Sequence, residues 1–210
     1  MLIYTKFAII NGEVMCMSRN PAYNAFLNKV NETIVNEAEN NFFGKVPKQN
    51  VIQDGTAITK AMLITYEAKD TDYASNGKPM GNLRLSEKMG IAPWKAVLLR
   101  MSDKLSRIES FIQRGEYSVE DEKVTDTLID FANYALLGRC LFDEYFEDQK
   151  TNNVLDAQTN WLSLSYLCVK SKLLYEYNKN EEYETIKWSQ NNWEQVKYYF
   201  ELLCEFARSV

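Results

Sequence analysis

The chain has 210 residues, 46% hydrophobic and 13% aromatic, with only eight glycines and four prolines, a composition that excludes a disordered or linker-rich protein. A net charge of −5 without any basic block argues against affinity built on polyanion contacts, so duplex nucleic acid is not an expected partner. Histidine is absent, which removes Ser-His and Cys-His nucleophilic schemes and imidazole ligation; any metal must sit on oxygen ligands, hence Mg²⁺ or Mn²⁺.

The four cysteines, Cys16, Cys140, Cys168 and Cys204, are too far apart for a zinc knuckle or a disulfide framework and read as reduced core thiols. The first residues are broken by Lys6, Asn11, Glu13 and Arg19, which does not suit a signal peptide. No apolar run approaches the length of a membrane span, so no membrane partner is expected, and the protein is expected in the cytoplasm.

Taken in chain order, residues 2 to 18 alternate around Asn11-Gly12, a dipeptide suited to a type I′ turn, and predict a small β-hairpin within residues 1–20. From Pro21 to about Phe43, Phe26, Val30, Ile34 and Ala38 recur at helical spacing. A second helix is expected over roughly Thr56 to Ala68, with Asp54 as its cap. Asp70 to Gly90 then reads as a long turn-rich segment with a short helix at Leu85 to Met89, and such loops are often functional.

Pro93 opens a third helix, on which Trp94, Leu98, Met101, Leu105, Ile108 and Ile112 form an apolar stripe flanked by Arg100, Lys104 and Arg107. The next helix, from near Glu120 to about Phe146, carries Glu122, Asp126, Asp130 and Asn133 in one file. That file runs on through Leu137 and Leu141, so its carboxylates lead into a segment that should be buried. Two more helices, Trp161 to Tyr177 and Glu182 to Ala207, are rich in aromatic residues at core spacing. The expected whole is one mainly α domain over residues 1–210: the hairpin, a helical core over 21–146, and a C-terminal helical pair over 156–208.

The acidic file and the basic flank leave two readings open. Glu122, Asp126 and Asp130 could share a Mg²⁺ ion, with Arg100, Lys104 and Arg107 clamping phosphate oxygens, or Asp126 and Asp130 could pair with Lys104 and Arg107 and simply hold two helices together.

The segments Asp72-Tyr73, Gly81-Asn82, Gly90-Ile91-Ala92-Pro93-Trp94, Arg100-Met101-Ser102-Asp103-Lys104-Leu105-Ser106-Arg107, Asp121-Glu122 and Asp126-Thr127-Leu128-Ile129-Asp130-Phe131-Ala132-Asn133-Tyr134-Ala135 occur in this order. Together they resemble the nucleotide modification associated domain family of phages and bacteria, which is similar to the all-α MazG-like nucleotide pyrophosphohydrolases. The resemblance covers roughly Asp70 to Phe142. It implies a MazG-like helical bundle, a nucleotide ligand and a homo-oligomer. It also implies Mg²⁺-dependent pyrophosphohydrolysis, or binding of a nucleotide or nucleotide signal without cleavage. Glu122, Asp126 and Asp130 would then be the metal-binding and catalytic residues, and Arg100, Lys104, Arg107, Asn133, Tyr134, Tyr73 and Asn82 would contact the substrate. The MazG-like acidic motif expected on the helix before Asp126 is replaced here by Asp103-Lys104 and its basic neighbours.

Overall fold

Pro21, an N-terminal Asn20 cap and apolar residues three and four apart make the first helix of the protein, α1 (Pro21–Glu39), whose Asn20 Oδ1 accepts the Ala22 and Tyr23 N–H groups. The computed structural model describes residues 7–10, 13–16, 20–73, 80–114, 123–178 and 190–210. Over these residues the chain is mainly helical. The backbone of β1 (Phe7–Ile10) pairs antiparallel with β2 (Glu13–Cys16). The Asn11-Gly12 turn expected between them lies outside the described residues.

The second helix, α2 (Lys48–Tyr73), starts earlier than its sequence suggests and absorbs Asp54 and Gly55 into its interior. Asp54 does not cap a helix; its carboxylate accepts the Tyr177 hydroxyl at 2.7 Å. Gly55 is needed for close approach, because a Cβ there would stand 2.7 Å from Ile34 Cγ2 of α1. The helix also continues past Ala68 and takes up the start of the segment read as a loop.

After it come α3 (Gly81–Arg84) and a 3₁₀ turn over Leu85–Met89, where the short helix was expected. Then follow α4 (Pro93–Arg114), α5 (Val124–Tyr145), α6 (Asn152–Asn178) and α7 (Gln190–Ser209). The central helix is α5, packed on α4 and α6, while α7 closes on α6 and α1 packs mainly on α2.

The C-terminal aromatics are core, as their spacing indicates: Trp161, Trp193 and Phe200 are all buried. Trp94, Phe142, Phe146 and Phe206 form an aromatic cluster joining α4, α5 and α7, with Trp94 edge-on to Phe142 at 5.3 Å. Cys140 and Cys168 are buried thiols, and burial pushes Cys140 up to about 12, out of the nucleophilic range. Arg139 is the buried cation that ties three helices. Its Nε donates to Asp143, its Nη1 to the Gln158 carbonyl of α6, and its guanidinium lies 4.6 Å from the centre of the Phe26 ring on α1. Among the described residues no helix is long and apolar enough to cross a membrane.

Candidate functional site

The end of α2, the start of α3 and the middle of α5 enclose a cleft. Its wall is made by Tyr66, Lys69 and Asp70 from α2, Asn82 and Leu83 from α3, and Asp130, Asn133 and Tyr134 from α5, with Met80 and Leu137 completing it. It holds about 520 Å³ counted to its open mouth. The enclosed part is small, and a bulkier ligand must extend through the mouth.

Helix geometry explains the α5 side. Asp130, Asn133, Tyr134 and Leu137 are three and four residues apart, so they fall on one strip. Leu137, the apolar continuation of the acidic file, lies on the cleft wall beside them. Asn133 is buried, and its Oδ1 accepts the Tyr23 hydroxyl at 2.6 Å, which leaves its amide N–H₂ as the donor. The Tyr23 ring stacks on Tyr66 with centroids 4.1 Å apart, so the cleft is backed by a rigid pair. Burial pushes both phenols well up, and the Asp70 charge adds to this at Tyr66, so both keep their protons. The Tyr66 hydroxyl is sealed in the core and meets no group with ordinary hydrogen-bond geometry, although Asn20 lies close enough to favour its ionised form.

Asp130 is the electrostatic centre. Lys104 Nζ stands 2.9 Å from its Oδ2, and Lys69 Nζ stands 3.1 Å from its Oδ1. Burial opposes ionisation of this carboxyl, but the hydrogen bond and charge of Lys104, reinforced by Lys69, outweigh it and hold the group below the usual carboxylate range. Asp70 is the other acid on the wall. It is buried, and one oxygen accepts the Met80 N–H at 2.8 Å. That bond holds Met80 at φ 58°, a left-handed backbone that costs a residue with a side chain roughly 1–2 kcal/mol.

Of the residues singled out in the sequence, the structure brings Asp130, Asn133, Tyr134 and Asn82 into the cleft, with Lys104 behind Asp130. It does not bring in Arg100, which is exposed on α4, nor Asp126, which is exposed at the start of α5, nor Arg107. Glu122 and the Tyr73 side chain lie outside the described residues. Tyr66, Lys69 and Asp70 were missed. They sit on α2 at helical spacing with Tyr73, a signal that a longer α2 would have exposed.

The donor set around Asp130 does not fit a Mg²⁺ ion as it stands. A hard cation needs several free oxygens, whereas both oxygens of Asp130 face ammonium groups, and no cluster of three or more acidic or thiol side chains occurs among the described residues. No protein-family model, curated protein or solved structure matches this chain.

Proposed function

We propose that this protein binds a nucleotide, or a small molecule derived from one, in the cleft between α2, α3 and α5 and holds it without cleaving it. The observation that carries the reading is the pairing of Asp130 with both Lys104 and Lys69, which commits the central carboxylate to ammonium groups rather than to metal-assisted hydrolysis. The Tyr66 and Tyr134 rings and the amides of Asn82 and Asn133 on the cleft wall suit a heterocyclic base. Lys69, its side chain 55% exposed at the wall, suits a phosphate at the mouth, since an ammonium has three donors and Asp130 takes one.

The same reading takes the bundle as MazG-like with a β-hairpin over residues 1–20, acting in the cytoplasm as a homo-oligomer. The ordered motifs between Asp70 and Phe142 support the bundle and the assembly, and the alternation around Asn11-Gly12 supports the hairpin. The expected pyrophosphohydrolase chemistry is the weaker reading, because its metal ligands would have to displace two cations.

The test is to incubate the purified protein with a panel of ribo- and deoxyribonucleoside triphosphates and Mg²⁺, then denature it and weigh what is released. The ligand is expected intact, with no pyrophosphate formed. Pyrophosphate release above the protein-free rate would reject the proposal in favour of hydrolysis.

A further inference from the structure

We propose that Asp70 makes the cleft selective for guanine, an inference that rests on the nucleotide reading and adds the identity of the base. Asp70 is only 7% exposed, yet it forms part of the cleft wall. Met80 N–H occupies one of its oxygens, and among the described residues no lysine or arginine pairs with it. The cations nearby, Lys69 and Lys104, are both placed on Asp130 instead. A mostly buried carboxylate is best stabilised when donors reach both of its oxygens, and a cleft ligand with N–H groups can supply them.

The chemistry of the base edges narrows the choice. A carboxylate only accepts, and it offers two oxygens side by side, each with two lone pairs, so the one that takes the Met80 N–H can accept once more. Guanine alone among the common bases presents two adjacent donors on its pairing edge, N1–H and the 2-amino group. Adenine and cytosine each set a ring nitrogen lone pair beside their amino group, so one carboxylate oxygen would face a lone pair. Uracil and thymine set one N–H between two carbonyl oxygens, which a carboxylate repels. Next along the guanine edge is the 6-keto oxygen, which needs a donor. Asn133 supplies one on the same wall, because its carbonyl is already taken by the Tyr23 hydroxyl and its N–H₂ remains.

The experiment is calorimetric titration of the full chain with the 5′-monophosphates of guanosine, inosine, adenosine, cytidine and uridine, repeated on Asp70→Asn. Asparagine keeps an acceptor for the Met80 N–H, so the turn is retained while the second carboxylate oxygen becomes a donor. In the wild type, GMP is expected to bind tightest, and IMP, which lacks only the 2-amino group, to bind about tenfold or more weakly, the loss expected for one hydrogen bond to a charged group. In Asp70→Asn the GMP-to-IMP ratio is expected to fall toward one, a change in preference that a merely structural role would not produce.

Equal binding of GMP and IMP by the wild type, or tighter binding of AMP, CMP or UMP, overturns the guanine assignment and leaves the nucleotide reading standing. Absence of binding by all five overturns both. Should Asp70→Asn fail to fold, the wild-type ranking decides alone.

Discussion

Lys104 and Asp130 meet across the packed faces of α4 and α5 with 2.9 Å between Nζ and Oδ2, both side chains mostly shielded from solvent. This contact joins the two polar strips that stand out in the sequence, and it does so as an ion pair. A surface pair would be worth little, but this one is partly desolvated and shares its acid with Lys69, so removing either partner leaves a charge that water reaches poorly.

The pair makes stability depend on acidity in a definite direction. Asp130 has a folded pKa below its unfolded value, so its contribution is fully present above the unfolded carboxylate range of about 4 and is lost as pH falls through the folded value. Lys104→Met is expected to cost about 1–2 kcal/mol at pH 7. The difference between wild type and variant should shrink toward zero as the pH falls below the unfolded carboxylate range and through the lowered folded value. Urea unfolding of both proteins at several pH values checks this, and a difference that is unchanged in acid would show that Lys104 acts through packing instead.

Cleft residues and neighbouring cations should separate in binding. Lys69→Ala is expected to weaken the affinity for a nucleoside monophosphate by about tenfold, the loss of one charge-assisted contact. Arg100→Ala should leave it unchanged, because Arg100 stands exposed on α4 outside the cleft wall. Calorimetry on both variants compares the two directly; equal losses would place phosphate on the α4 flank.

Gly138 sits where α5 meets the buried Trp161 ring of α6, and a Cβ at this position would come within 3.0 Å of three ring atoms. Tryptophan packed at 0% exposure has no room to withdraw. Gly138→Ala is therefore expected to destabilise the protein by about 3 kcal/mol despite its higher helix propensity. Gly55→Ala should cost less, because only one atom, Ile34 Cγ2, would come closer than 3.0 Å. Thermal melts rank the two variants, and a neutral Gly138→Ala would refute the close approach.

Tyr23→Phe removes one hydroxyl and leaves the buried Asn133 carbonyl without its donor. The expected loss is about 1–3 kcal/mol of stability, with weaker ligand binding because the Asn133 amide is no longer held in one orientation. Chemical denaturation and titration of the same variant measure both effects; stability that falls while affinity stays constant would remove Asn133 from recognition.

Much of the helical architecture can be read from periodicity, because the stripes on α1 and α4 bury the same residues that recur at three- and four-residue spacing. Asp130, Asn133 and Leu137 are legible for the same reason: a polar file running into an apolar one falls on a single strip, and that strip lines the cleft. The extent of α2 was not legible. Asp54 and Gly55 look like a cap and a break, but tertiary contacts override both, with Tyr177 satisfying the acid and Ile34 filling the space over the glycine. Once α2 is shortened in this way, Tyr66, Lys69 and Asp70 fall at its frayed end and their shared face is lost. The Lys104–Asp130 pair is one of the two readings the sequence leaves open, but the second cation is not legible, since Lys69 reaches Asp130 from a helix far away in sequence.

The central claim is that the cleft holds a base-bearing ligand and does not cut it. Native mass spectrometry of the purified protein, before and after addition of nucleoside triphosphates with Mg²⁺, tests this most directly when run beside Tyr134→Ala. A bound mass equal to the intact nucleotide is expected in the wild type, and its loss in the variant. A bound monophosphate with free pyrophosphate in solution, or a bound mass that survives Tyr134→Ala unchanged, would contradict it.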